Sequence, residues 1–217
     1  MNEQFIKSGK QIMQSEAASI DEVAESLDAS FSAAVELILA RSKDGHVIVS
    51  GMGKAGFVGM KISATLASTG IPSFFLHPAE AVHGDLGRYT ENDTALLLSQ
   101  SGSTDEVLRI LPQIKKTGCS IIAITARSDS PLGTQSDVVI QMGAVKEAGP
   151  LGLAPTSSAA VMLAIGDALA MTILEVQGFT PEQFAQFHPA GNLGRSLVPV
   201  SEIMRTGKKL CIVDLNT

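Results

Sequence analysis

The chain has 217 residues, 45% of them hydrophobic and 18% charged, which is enough to bury one α/β core well. Sixteen basic against 22 acidic residues leave a net charge of −6, and aromatics are only 4% with no tryptophan. A nucleic-acid partner is therefore not expected, because neither a basic stripe nor stacking side chains are present.

Residues from about 3 to 41 lack proline and carry Ile20, Val23, Leu27, Phe31, Val35 and Ile38 at helical spacing. This predicts one long helix or two as an amino-terminal extension over 1–42. The polar start Met1-Asn2-Glu3-Gln4 lacks the pattern of a signal peptide. Short β-branched runs then alternate with helical ones. Strands are predicted at 46–50, 73–76, 94–99, 119–125 and 137–141, with helices near 54–69 and 104–117 between them. Such alternation predicts an α/β domain over 43–198, a five-stranded parallel sheet sandwiched by helices in three layers. A further helix near 156–177 is apolar on several sides and rich in small residues, among them Ala159, Ala164, Gly166 and Ala168. It is expected to be buried on more than one face, within the subunit or at a subunit interface. The longest uncharged stretch, 148–166, holds Gly149, Pro150, Gly152 and Pro155, so it is not expected to span a membrane. Cys119 and Cys211 are far apart, and Cys119 opens an apolar strand where a buried free thiol is the default, so a cytoplasmic location is expected.

Two turns stand out, each following an apolar run. The first is Ser50-Gly51-Met52-Gly53-Lys54-Ala55-Gly56, and the second is Ser99-Gln100-Ser101-Gly102-Ser103-Thr104. A glycine-rich turn between a buried strand and a helix exposes backbone N–H groups at the positive end of the helix dipole, and clustered hydroxyls add donors. Two such turns in successive βαβ units predict one phosphate-bearing ligand held across the carboxyl edge of the sheet. The first turn also matches G-x-G-x-x-G, the dinucleotide fingerprint. That reading needs an acid at the end of the second strand, and here the strand ends Phe74-Phe75-Leu76-His77-Pro78. Lys54 supplies a point charge suited to a monophosphate instead. The alternative is two tight turns whose glycines serve packing alone.

These residues carry a resemblance that extends over about 5–200. The stretches are Ser50 to Gly56, Leu76-His77-Pro78-Ala79-Glu80-Ala81-Val82-His83-Gly84-Asp85-Leu86-Gly87, the 99–106 turn, Glu147 through Pro155-Thr156-Ser157-Ser158, Gly166-Asp167-Ala168-Leu169-Ala170, and His188-Pro189-Ala190-Gly191-Asn192-Leu193-Gly194-Arg195. Together they resemble the sugar isomerase (SIS) domain of bacterial D-arabinose-5-phosphate isomerases. The resemblance implies a flavodoxin-like SIS fold, cofactor-free interconversion of D-ribulose 5-phosphate and D-arabinose 5-phosphate for 3-deoxy-manno-octulosonate synthesis, and a homotetramer with sites at subunit interfaces. Residues 199–217 resemble the start of a CBS region that is not completed, which leaves a trimmed chain and a natural single-domain form both open. Ala55 and Gly149 depart from the family pattern, which has serine and cysteine there.

Aldose–ketose isomerisation by proton transfer needs ring opening, a base for the proton beside the carbonyl, and stabilisation of the enediolate. His188 is the first candidate for proton shuttle, standing between a short amphipathic helix and a Pro-Ala-Gly turn; the plainer reading is a helix-capping histidine. His83, in a Gly-Asp loop, is a candidate for ring opening or hydroxyl recognition, or a plain loop residue. His77 reads as structural and His46 as a strand start. Glu106 sits in a first helical turn, where acids are common anyway, and Glu147 leaves the last strand at the same sheet edge. The family pattern makes both glutamates candidate base or hydroxyl ligand, with neither ranked first. Lys54 is assigned to the phosphate or to the developing oxyanion. The substrate-binding set is Ser50, Gly51, Gly53, Ser99, Gln100, Ser101, Gly102, Ser103 and Thr104. No metal-ligand spacing is present and the chemistry requires none, so zinc on His83 and His188 is expected only as an inhibitor. The competing classes are a phosphosugar sensor without turnover and an isomerase of another phosphosugar; the acidic chain lacks a preceding helix-turn-helix, which disfavours a regulator.

Overall fold

The structure is a computed structural model and describes residues 2–188 and 200–207. It divides into two compact units, Met1–Gln177 and Gly178–Thr217.

In the first unit the amino-terminal extension is two helices, α1 (Asn2–Glu25) and α2 (Ala29–Arg41). The break falls at Asp28, whose carboxylate accepts the Ser30 N–H at 2.8 Å and so caps α2. Five strands follow: β1 (Val47–Gly51), β2 (Ser73–Phe75), β3 (Thr94–Leu98), β4 (Ser120–Thr125) and β5 (Val138–Gln141). Their order is β2-β1-β3-β4-β5, every neighbour parallel. The expected fold class is therefore present. The connecting helices are α3 (Gly53–Ser68), the single turn α4 (Pro78–Ala81), and α5 (Asp105–Thr117). Val107, Ile110, Leu111 and Ile114 form the buried stripe of α5, and Gly118 ends that helix in the left-handed conformation at φ 80°.

Strand alternation divides the core in two. Val47, Val49, Leu96 and Ile124 face a cluster built with α2, α3 and the long helix α6 (Ser157–Gln177). Ile48, Leu97, Ile121 and Ala123 face the other side, against α5 and Ala81 of α4. By length and composition α6 could cross a membrane. Here it packs on α1, α2 and α3 through Val161, Ile165, Leu169 and Ile173. A β-carbon on Gly166 would meet Ile62 of α3 at 2.3 Å, so only glycine permits that approach.

In the second unit α7 spans Pro181–Phe187 and α8 spans Val200–Ile203. Thr180 and Gln183 form a reciprocal capping box at the start of α7, with Pro181 at its first position.

Candidate active site

The strand order reverses direction between β1 and β3, because the chain leaves β1 towards β2 and returns to place β3 on the other side. In an open parallel sheet such a switch point leaves a crevice at the carboxyl ends of the two strands. The first glycine turn follows β1 and the second follows β3. A cleft of about 530 Å³ opens there, lined by both turns, by residues 145–147, by the loop 152–155 and by the first turns of α6.

Of the expected residues, Lys54, Ser99, Gln100, Ser101, Thr104 and Glu147 line this cleft. Gly51, Gly53, Gly102 and Ser103 belong to the same turns without lining it. Gly53 and Gly102 take positive φ, 57° and 65°, as tight turns of this kind require. Ser50 needs correcting as a ligand. It is fully buried, and its hydroxyl donates to the Leu76 carbonyl at 2.7 Å, so it ties β1 to the segment after β2. Ser99 lines the cleft but is also buried. Its oxygen accepts the Gly102 N–H at 3.0 Å and lies 2.7 Å from Thr104 Oγ1, which shapes the second turn from within. Ser101 is exposed and its oxygen accepts the Ser103 N–H at 3.2 Å.

Two helices begin at this edge without a side-chain cap. Neither Met52 before α3 nor Thr104 before α5 bonds the first N–H groups of its helix through its side chain. Those donors, with Lys54, give this edge the chemistry that suits an anion. A third helix, α6, also starts here, and it is satisfied differently. Glu147 Oε2 accepts the N–H of Thr156 at 2.8 Å and of Ser158 at 3.1 Å, and the Thr156 hydroxyl at 3.2 Å. Burial pushes the Glu147 carboxyl up, but the hydrogen bonds from Ser158 and Thr156 outweigh it and hold it below the usual carboxylate range.

Glu106 is half-buried in the first turn of α5, and His83 is exposed just after α4; neither lines the cleft. His77 caps α4, its Nδ1 accepting the Ala79 N–H at 3.3 Å, and His46 stacks edge-on against Phe74. Both fit the structural parts read from the sequence. His188 belongs to the second unit. There it ends α7, stacked on Phe184 at 3.9 Å between ring centres, with Nδ1 2.9 Å from the Phe184 carbonyl oxygen. A carbonyl only accepts, so Nδ1 donates and Nε2 is the acceptor nitrogen, without a hydrogen-bond partner among the described residues. Among the described residues no cluster of three His, Cys, Asp or Glu side chains could hold a metal.

The sequence reading missed Lys146, Ser158 and the loop residues Gly152, Leu153 and Pro155 as cleft lining. Lys146 carried a signal, a second cation beside Glu147 at the end of β5. A separate hollow of about 360 Å³ lies between the α1–α2 turn and β5. It contains Glu22 and Asp28 without a lysine or arginine, which suits no anion.

Comparison with known proteins agrees with this geometry. The SIS domain model matches residues 38–172. The arabinose 5-phosphate isomerase KdsD of Pseudomonas aeruginosa is 48% identical over 217 residues, all of this chain and 66% of that protein. The arabinose 5-phosphate isomerase KpsF of Escherichia coli O6:H1 is 46% identical over 202 residues, 93% of this chain and 62% of that protein. The chain thus spans about two-thirds or less of the length of these relatives. The solved structure of E. coli CFT073 c3406 in complex with arabinose 5-phosphate superposes with a TM-score of 0.84 at 39% identity, covering 87% of this chain and 100% of that one. With the sheet order, the paired turns and these matches together, the chain belongs to the SIS domain family.

Proposed function

We propose that the protein is an aldose–ketose isomerase that interconverts D-ribulose 5-phosphate and D-arabinose 5-phosphate through an enediol. One observation carries the reading: two uncapped helix N-termini, Lys54 and the hydroxyls of 99–104 meet at one cleft, in a chain 46–48% identical to arabinose 5-phosphate isomerases. The turn 99–104 and the start of α5 hold the phosphate, with Lys54 beside it or on the developing oxyanion. His188, through Nε2, moves the proton between the two sugar carbons, and Glu106 is the next candidate. His83 assists ring opening. The chemistry calls for no cofactor, and zinc on the two histidines inhibits by occupying the nitrogens that shuttle protons.

The product feeds 3-deoxy-manno-octulosonate synthesis in the cytoplasm, and the chain works as a homotetramer with its sites at subunit interfaces, without a nucleic-acid or membrane partner. Exposed apolar side chains support the assembly, namely Phe5, Ile6 and Met13 on α1 and Phe57 and Met60 on α3. Light scattering at micromolar concentration should give four times the chain mass; a stable monomer rejects this part of the reading.

The deciding experiment is ¹H NMR of ribulose 5-phosphate incubated with the protein in D₂O. Arabinose 5-phosphate deuterated beside the carbonyl is the expected product. Binding without exchange identifies a sensor, and a different aldose identifies another isomerase.

A further inference from the structure

We propose that Glu147 is a positioning residue: its carboxylate clasps the loop 148–155 onto the start of α6 and so fixes one wall of the cleft, rather than taking a proton from the sugar. The inference rests on the phosphosugar reading for the cleft's occupant, but the clasp itself does not depend on it.

Among the described residues, side-chain hydrogen bonds close the loop at its base and nowhere else. Thr156 and Ser158 donate three hydrogen bonds to a single oxygen of Glu147. The Thr156 hydroxyl also accepts the Ala148 N–H at 2.9 Å, which brings the two ends of the loop together. Between those ends Gly149 and Gly152 take φ 101° and 59°, and Pro150 and Pro155 stiffen the remainder. Leu151 and Leu153 stand 79% and 78% exposed in the single chain, so no packed core of its own subunit holds the loop in place. Gly152, Leu153 and Pro155 nevertheless line the cleft beside Lys54 and Ser101. The position of that wall is therefore set by the clasp.

A base role fits the same contacts poorly. General bases work best when they titrate near neutrality, and an oxygen that already accepts three donors at the start of a 21-residue helix is stabilised as the anion. The contrast with α3 and α5 points the same way. Their uncapped N-termini remain open to a ligand, whereas the start of α6 is occupied by Glu147. The φ of Gly149 bears on the departure from the family pattern: at 101° a cysteine would be strained, so the glycine belongs with this loop conformation.

The test compares Glu147→Gln, Glu147→Ala and Thr156→Val by limited proteolysis with thermolysin and by steady-state kinetics. Glutamine retains an acceptor for both N–H groups, alanine has none, and valine removes only the hydroxyl bonds. Cutting at Leu151 or Leu153 should accelerate about tenfold or more in Glu147→Ala, less in Thr156→Val, and little in Glu147→Gln. On ribulose 5-phosphate, Glu147→Ala should raise KM most, and Glu147→Gln should keep kcat within about tenfold of the parent. If Glu147→Gln instead loses kcat by about 10²-fold or more with its loop still protected, Glu147 is the base and the clasp reading is wrong. Equal cutting in all variants also overturns it. If Glu147→Ala does not fold, the glutamine and valine variants still decide. A parent protein that turns over no pentose phosphate refutes the proposed function alone, because the proteolysis reads the loop directly.

Discussion

Gly102 lies against Ser130 so closely that a β-carbon on it would stand 2.1 Å from the Ser130 hydroxyl oxygen and 2.4 Å from its β-carbon. The second anion turn is thus pinned to the loop after β4. Thr125 Oγ1 would be met at 2.8 Å as well, and Gly102 already takes φ 65°. Gly102→Ala should therefore destabilise the fold by about 2–4 kcal/mol, the sum of a left-handed alanine and an overpacked neighbour. Urea unfolding measures it, and a loss below about 0.5 kcal/mol would contradict the close approach. The same variant should raise KM, since the turn proposed to bind phosphate would be displaced.

Two serines one strand apart should fail in different ways. Ser50 is fully buried and satisfies the Leu76 carbonyl, so Ser50→Ala should cost about 1–3 kcal/mol of stability. Ser101 is exposed at the centre of its turn, so Ser101→Ala should leave the melting temperature nearly unchanged. On the proposed reading its hydroxyl faces a phosphate that does not react, and such a contact would be used equally in ground and transition states. KM should rise about tenfold with kcat little changed. A large kcat loss in Ser101→Ala would place that hydroxyl at the reacting carbons.

The frame was legible because each strand is a short β-branched run between turn residues, and the predicted 46–50, 94–99 and 119–125 end within a residue of the observed strands. The site was legible as two turns, since glycines at positive φ and clustered hydroxyls are local signals. Which hydroxyls face the cleft was less so. Alternation along β1 places Ser50 on the same side as Ile48, inside the second core, and that parity overrides the polarity of its side chain. The part played by Glu147 has no periodic signature at all. Its partners lie nine and eleven residues on, across a loop whose closure depends on two glycines.

Cys119 should be inert while the protein is folded. Burial pushes its thiol up to about 12, and its sulfur donates to the Asp93 carbonyl at 3.3 Å. In a Cys211→Ser background, Ellman's reagent at pH 8 should react at the unfolding-limited rate without denaturant and at once in guanidinium. Fast reaction of the folded protein would mean the thiol is open.

Glu147 also predicts an acid sensitivity. Its folded-state carboxyl is held below the ordinary range, so its contribution to stability is complete above that range and is lost as the pH falls through the depressed value. Melting temperatures measured from pH 6 downward should fall more steeply for the parent than for Glu147→Gln, which has nothing to protonate there. Parallel curves would show that the hydrogen bonds from Thr156 and Ser158 do not favour the ionised form.

On the proposed reading His188 is the proton shuttle; its Nδ1 is committed to the Phe184 carbonyl while its ring stacks on the Phe184 side chain. Those two contacts fix the tautomer and the ring plane and leave Nε2 as the working nitrogen. His188→Ala should lower kcat by about 10²–10⁴-fold with a modest change in KM, the pattern of an interaction realised mainly in the transition state. His188→Gln fills similar space and can still donate to the Phe184 carbonyl, but it cannot accept and return a proton, so it should be nearly as slow as alanine. Steady-state kinetics on both variants, with deuterium wash-in measured by NMR, decide the assignment. If either variant keeps near-parental kcat, the proton travels elsewhere, and Glu106→Gln becomes the variant expected to lose turnover.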